Sequence, residues 1–110
     1  MAAALYPETS SAKARKRREL VPGVQAAFEA FGREVFADGA LPGKTKQLIA
    51  VAVAHVTQCP YCIQGHTRAA QRAGASAEEL MEVVWVAAEM RAAYAHAAIM
   101  LAALPDKADA

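Results

Sequence analysis

The sequence predicts an all-α protein, a small helical bundle built to oligomerise. Apolar residues recur at helical spacing in several segments, these segments begin or end at proline, glycine or a capping box, and no segment favours a strand over a helix. Hydrophobic residues make up 55% of the chain but aromatic residues only 6%, because alanine supplies much of the excess. Alanine-rich helices pack closely but bury little area each, so we expect other subunits to complete the core.

The length of 110 residues corresponds to one domain. We expect an N-terminal arm or short basic helix at 1–18, a helical domain at 19–105 and a frayed tail at 106–110. The formal net charge of +1 argues against a strongly electrostatic partner such as nucleic acid. No run of about 20 apolar residues predicts a membrane span, and no secretory signal is recognised, so a cytoplasmic location is expected.

A basic run occupies Lys13–Arg18, where five of the chain's twelve lysine and arginine residues lie within six positions. Such a run can contact nucleic acid or an acidic surface. No aromatic residue interleaves with it and the remaining charges balance it, so a solvated helix or arm is the favoured interpretation. Its role is left open by the sequence.

The first substantial helix is predicted from Pro22 to Asp38, and Gly39 ends it. One apolar stripe runs along this helix, formed by Val24, Phe28, Phe31 and Val35. Phe36 lies off the stripe and is expected to face a second surface. A second helix is predicted from Lys44 to about Thr57. Its unbroken apolar run from Leu48 to Ala54 predicts burial on all sides, with a strand as the alternative that its length and alanines disfavour.

A capping box at Ser76 and Glu79 starts the next helical stretch, which meets no glycine or proline until Pro105. This span is long for a small domain, so we expect two helices or a bend near Arg91 to Tyr94. The predicted core face consists of Leu80, Val83, Val84, Ala87 and Ala88. Four larger apolar side chains are expected in the core or at a subunit interface: Met81, Trp85, Met90 and Met100.

The chain is organised around eight residues that hold both cysteines, from Cys59 to His66. Pro60 suits the first position of a helix, and Gly74 is a plausible stop after its last turn. At about 100° per residue, Cys59, Cys62 and His66 fall within an arc of roughly 60°. Two thiols and an imidazole therefore share one face near a helix N-terminus.

This position activates a thiol, because unpaired N–H groups and the helix dipole favour the thiolate, which is the reactive form. The dipole favours Cys59 as the more acidic thiol, since it lies nearest the terminus, whereas His66 at i+4 can reach Cys62. A nucleophile, a resolving thiol and a base are all present. Redox chemistry of the thiols is therefore the favoured interpretation.

Three other interpretations of the cysteines stay open. Cys59, Cys62 and His66, with His55 as a fourth ligand, could hold zinc, although all four would crowd into about three turns. A structural disulfide would close a very small loop and stabilise little. The cysteines could also be inert core residues. For His55 a hydrogen-bonded core position is favoured, and no cofactor or metal is expected.

Three segments carry a resemblance to a known family, namely Asp38–Ala50, Cys59–Thr67 and Ala73–Ala75. They resemble the AhpD-like alkylhydroperoxidases of the carboxymuconolactone decarboxylase superfamily. The resemblance implies an all-α bundle that assembles as a trimer or hexamer and reduces hydroperoxides. It implies that Cys62 attacks the peroxide, that Cys59 resolves the sulfenic acid as a disulfide, and that His66 relays the proton. An unidentified thiol donor would then recycle the disulfide.

The chain departs from the family at Gln47, where the family relay usually has a glutamate twelve residues before the first cysteine. An amide cannot take a proton, but it can orient His66 by a hydrogen bond. Alternatively, Glu82 or Glu89 of this or a neighbouring subunit replaces the missing carboxylate, or the thiols serve disulfide exchange. Two further functions stay open: a non-enzymatic zinc-binding or scaffold domain, and a carboxymuconolactone-type decarboxylase, which needs no thiols.

Overall fold

The computed structural model describes residues 5–106 and contains six helices. Their bounds are α1 Ser11–Leu20, α2 Pro22–Phe36, α3 Gly43–Thr57, α4 Pro60–Arg72, α5 Ala77–Arg91 and α6 Ala97–Ala103. Within the described range there is no strand, which confirms the predicted all-α class. The outermost residues of the expected arm and tail, 1–4 and 107–110, lie outside the described range.

The helix boundaries follow the local signals of the sequence. The capping box is present in both directions, since the Ser76 hydroxyl accepts from the Glu79 N–H and the Glu79 carboxylate accepts from the Ser76 N–H. Gly74 follows α4 with a φ of +99°, which only glycine adopts without strain. The break predicted near Arg91 to Tyr94 is confirmed, because α5 ends at Arg91.

The core lies where α3 packs against both α4 and α5, while α1 packs on α2 and a smaller contact joins α2 to α3. Four small side chains are buried here: Val51, Ala54, Ala70 and Ala87. Their size lets the helices approach closely but yields little apolar area. An ion pair of 2.9 Å between Lys44 and Glu79 also joins α3 to α5.

Two of the predicted burial patterns are wrong for the single chain. The run Leu48–Ala54 is not buried on all sides, because α4 and α5 cover two faces of α3 and leave Ile49 and Val53 about half exposed, at 48% and 53%. Ala88 is exposed although it was expected in the core face of α5. Trp85 is also exposed, at 66%. The described chain therefore carries apolar surface that its own helices do not cover.

The shape of the chain agrees with this incomplete core. Its radius of gyration is 19.8 Å, whereas a compact chain of this length has a value of about 13 Å. Its accessible surface is 8867 Å², about 3,000 Å² more than a compact monomer of this size exposes. The apolar stripe of α2 contributes to the excess, with Phe28 and Phe31 exposed by 68% and 64%.

No helix within residues 5–106 is both long enough and apolar enough to cross a membrane.

Candidate redox site

A two-residue turn between α3 and α4 places the first cysteine. Gln58 caps α3 in the left-handed conformation, with a φ of +57°, and its N–H donates to the carbonyl of Ala54. The N–H of Cys59 donates to the same carbonyl at 3.1 Å. Cys59 is consequently the N-cap of α4 rather than a helical residue, and Pro60 follows as the first residue of the helix.

The two cysteine sulfurs lie 2.7 Å apart and share a hydrogen bond. Both cysteines are free thiols, Cys62 exposed and Cys59 half-buried. The Cys59 sulfur also accepts from the backbone N–H of Cys62 at 3.3 Å, as an N-cap side chain does. A disulfide bond measures about 2.05 Å, so a small movement of the side chains would join the sulfurs.

The local hydrogen bonds shift the pKa values of the two thiols in opposite directions. The pKa of Cys59 is lowered, first because its sulfur accepts from the Cys62 thiol and next because it accepts from the Cys62 N–H. The pKa of Cys62 is raised, first by the same contact with Cys59 and then by a slight desolvation of its sulfur, which remains exposed. The first proton to leave this pair therefore leaves Cys59, and the remaining proton is held between the two sulfurs.

We expect alkylation by iodoacetamide to show two steps as the pH rises. Cys59 should react first, with a midpoint below that of a free thiol, because its thiolate persists to lower pH; Cys62 should follow above it. Mass spectrometry of peptides separates the two sites. Replacing Cys62 with alanine removes the hydrogen bond that contributes most to the lowered pKa of Cys59, so the Cys59 midpoint should rise toward the ordinary thiol value. An unchanged midpoint in that variant would contradict this assignment.

His66 is held by two contacts from other helices. Its Nδ1 lies 2.8 Å from the amide oxygen of Gln47 on α3, and its ring stacks on Phe36 of α2 at a centroid distance of 5.3 Å. Because the amide oxygen can only accept, Nδ1 carries the proton in this contact. The Nε2 atom of the neutral ring is then left as the proton acceptor.

An open, mostly apolar cavity of about 450 Å³ lies beside Cys62 and His66. Helices α2, α3 and α4 each contribute side chains to its wall. The lining residues are Val35, Phe36, Lys46, Ile49, Ala50, Val53, Ala54, Thr57, Cys62 and His66. The exposed thiol and the imidazole thus meet in a space that can take an apolar molecule, while Cys59 lies outside this lining.

The other candidate residues are not brought to this site. His55 bonds its own helix, with Nδ1 2.8 Å from the carbonyl of Val51. In the part of the chain that the structure describes, no three histidine, cysteine or carboxylate side chains form a group suited to a metal. Glu82 lines a different groove, between α3 and α5, and Glu89 is exposed on α5. The partner of His66 in this chain is therefore Gln47 and neither glutamate.

Two contacts at the site were not predicted. Phe36 stacks on His66, and the only hint in the sequence was its place off the apolar stripe of α2. Tyr61, between the cysteines, donates its hydroxyl proton to the carbonyl of Pro7, 54 residues earlier in the chain. No local pattern in the sequence marks a contact of that separation.

Similar proteins agree with this architecture. The sequence profile of the carboxymuconolactone decarboxylase family matches residues 22–104. An uncharacterised protein of the cox locus of Paracoccus denitrificans is 56% identical over 107 residues, covering 96% of this chain and 89% of that protein. An uncharacterised protein of Cupriavidus necator is 39% identical over 69 residues, covering 63% and 61% of the two chains.

Two solved structures share the fold. A carboxymuconolactone decarboxylase family protein from Legionella pneumophila, crystallised in its apo form, superposes with a TM-score of 0.69 at 36% identity, covering 73% of this chain and 71% of that one. A protein from Methanobacterium thermoautotrophicum superposes with a TM-score of 0.63 at 34% identity, covering 76% and 93%. With its helical fold and its paired cysteines, the chain belongs to the carboxymuconolactone decarboxylase family, in the AhpD-like superfamily.

Proposed function

We propose that this protein is a thiol-dependent peroxidase that reduces hydroperoxides through the pair Cys59 and Cys62. The observation that carries the proposal is the site geometry: two free sulfurs 2.7 Å apart, one of which opens into a cavity that also holds an imidazole. A peroxidase of this type needs a thiolate, a second thiol within reach and a proton carrier. All three are present at the start of α4.

The reaction begins when Nε2 of His66 takes the proton shared by the two sulfurs. The Cys62 thiolate then attacks the outer oxygen of the hydroperoxide, the O–O bond breaks, and Cys62 becomes a sulfenic acid. The departing alkoxide takes the proton back from His66 and leaves as an alcohol. Cys59, as a thiolate, attacks the sulfenic sulfur, hydroxide leaves and takes a proton from solvent to become water, and a Cys59–Cys62 disulfide forms. The peroxide has gained two electrons and the cysteine pair has lost them.

Cys62 is assigned the attack on peroxide because it is the sulfur that lines the cavity with His66. Cys59 has the lowered pKa, which suits the resolving step, since a thiolate is the species that displaces hydroxide from a sulfenic acid. The acidity and the position of the thiols therefore favour different roles for the two residues. Gln47 acts in this scheme as a positioning residue that holds the tautomer of His66.

The apolar lining of the cavity favours an organic hydroperoxide over hydrogen peroxide. Purified protein supplied with dithiothreitol should consume cumene hydroperoxide with a kcat/KM about tenfold or more above that for hydrogen peroxide, since each buried apolar group adds binding. Peroxide loss is followed directly, with the Cys59→Ala/Cys62→Ala variant as the control. Absence of any thiol-dependent consumption of either peroxide would exclude the proposed activity.

The proposal includes a homo-oligomer, a trimer or hexamer, in the reducing cytoplasm. The excess surface of about 3,000 Å² per chain is the size that obligate interfaces bury. The exposed apolar side chains supply suitable contacts, including the α2 stripe and Trp85. Sedimentation equilibrium measures the mass, and a monomer at micromolar concentration would contradict this part of the proposal.

A further inference from the structure

The segment that precedes α1 packs against Tyr61, the residue before Cys62. The hydroxyl of Tyr61 donates to the carbonyl of Pro7, and the ring of Tyr61 meets that of Tyr6 edge to face, with centroids 5.9 Å apart. Tyr61 stands between the two cysteines in the chain, so these contacts seat the segment against the first turn of α4. The surface formed around Tyr61 by this segment and by the helices on either side of it is called here the Tyr61 surface.

The Tyr61 surface is rich in positive charge. On one side of the segment, Lys13 and Arg17 of α1 line a groove of about 500 Å³ that Tyr61 also lines. On the other side, Arg68 of α4 lines a cleft of about 560 Å³ together with Tyr61 and Gln64. Among residues 5–106, the one carboxylate that lines either space is that of Glu8, and the Lys13 ammonium donates to the Glu8 backbone carbonyl at 2.6 Å. Three cations and one anion therefore surround Tyr61.

The basic residues of α1 thus lie on two different sides of the helix. Lys13 and Arg17 are one turn apart and share the face toward Tyr61, whereas Arg15 and Arg18 fall on the opposite side at about 100° per residue. Peroxide reduction makes no use of these charges. The cavity proposed for the peroxide is a separate space beside Cys62, and it is lined mostly by apolar residues. The charged surface is consequently available for a second binding event.

Resting on the proposed peroxidase function, we propose that the Tyr61 surface docks the electron donor, and that this donor is a protein dithiol with acidic residues around its reactive cysteine. Each turnover leaves a disulfide that must regain two electrons. Cys62 is the exposed sulfur and the chain neighbour of Tyr61, so a donor seated on this surface lies one residue along the chain from the sulfur that it must attack. Opposite charges steer such an encounter and raise its rate.

The reduction proceeds by two exchange steps. A thiolate of the donor attacks the Cys62 sulfur, a mixed disulfide forms, the Cys59–Cys62 bond breaks, and Cys59 leaves as a thiolate. The second thiol of the donor then attacks the donor's own sulfur in the mixed disulfide and releases Cys62. The donor ends as a disulfide, and the cysteine pair has regained two electrons and two protons. Attack at Cys62 suits this order because Cys59 is the better leaving group.

The test measures the rate of reduction of the full-length oxidised protein, with its disulfide made by diamide so that the result does not depend on the peroxide reaction. The probes are two synthetic dithiol peptides with the same Cys-Gly-Pro-Cys centre, one flanked by glutamates and the other by lysines. We expect the glutamate peptide to react about tenfold or more faster at low ionic strength, with most of the difference lost at about 0.5 M salt.

Matched variants localise the effect. Lys13→Glu/Arg17→Glu should remove the preference for the glutamate peptide, and Arg68→Glu should weaken it. Arg15→Glu/Arg18→Glu changes the net charge by the same amount on the opposite side of α1 and should retain it. Dithiothreitol, which is small and uncharged, should reduce all four proteins at the same rate and so confirms that the redox pair is intact.

Three results would overturn the docking proposal. The first is an equal rate for the two peptides with the wild-type protein. The second is an equal loss of preference in both double variants, because that would reflect net charge alone. The third is binding of a short DNA duplex at physiological salt that Lys13→Glu/Arg17→Glu abolishes, since the surface would then serve nucleic acid. If the protein does not consume peroxide but still reacts faster with the glutamate peptide, the proposed peroxidase function is wrong and the proposed docking surface is retained.

Discussion

Replacing Cys62 with serine should lower peroxide consumption by at least about 1,000-fold, the largest effect of any single substitution expected here. The serine hydroxyl is close in size to the thiol but is not ionised near neutral pH, so it cannot attack the O–O bond. Cys59 alone does not replace it, because its sulfur is outside the cavity that His66 lines. Stopped-flow mixing with one equivalent of cumene hydroperoxide measures the loss.

Cys59→Ser is the matched control, and it should behave differently. Cys62 can still be oxidised once by peroxide, but no second thiol is present to resolve the product. Mass spectrometry should show the gain of one oxygen atom on Cys62, and dimedone should trap the sulfenic acid. If Cys62→Ser instead gives a trapped sulfenic acid on Cys59, the two roles are reversed, in keeping with the lowered pKa of Cys59.

Gln47→Leu should lower kcat/KM for peroxide by about 10-fold to 100-fold, the second largest effect. Leucine fills nearly the same volume but removes the oxygen that accepts from Nδ1 of His66 at 2.8 Å, so the ring loses its fixed tautomer. A positioned base contributes about 10²-fold to 10⁴-fold, and part of this depends on its orientation. KM should change little, because Gln47 does not line the peroxide cavity.

Gln47→Glu separates an electrostatic role from a merely structural one. A carboxylate accepts the same hydrogen bond and also favours the imidazolium, so the acid limb of the profile of kcat/KM against pH should move to higher pH. Above that limb the rate should equal or exceed the wild-type rate, because a more basic imidazole removes the thiol proton more readily. An unshifted profile in Gln47→Glu, together with full activity in Gln47→Leu, would remove Gln47 from the proton relay.

The secondary structure was predictable because its signals are local. Proline at 22 and 60, the box at Ser76 and Glu79, and glycine at 74 each act through the backbone within one helical turn.

The burial of α3 was not predictable in the same way. An unbroken apolar run indicates that every face meets another surface, but it does not say whether that surface belongs to the same chain. Ile49 and Val53 show the difference, since this chain leaves both exposed.

The same difference between local and distant contacts decided which parts of the candidate site could be predicted. The spacing of Cys59, Cys62 and His66 is local, so the sequence indicated a thiol pair with an imidazole nearby. The contact between His66 and Gln47, 19 residues apart, was expected only through the family resemblance. The contact of Tyr61 with Pro7 depends on how a segment 54 residues away returns to the motif, and neither periodicity nor resemblance indicates it. The surface proposed for the electron donor follows from that contact.

The most direct measurement of the central claim is a thiol count on the purified, reduced protein before and after one equivalent of organic hydroperoxide, with metal analysis on the same sample. We expect two reactive thiols per chain before treatment and none after it, no stoichiometric metal, and a mass lower by two hydrogen atoms, the mark of a Cys59–Cys62 disulfide. Two thiols that survive the peroxide would contradict the proposed redox role. Two thiols that are masked until a chelator releases zinc would also contradict it, and would identify the pair as a structural site.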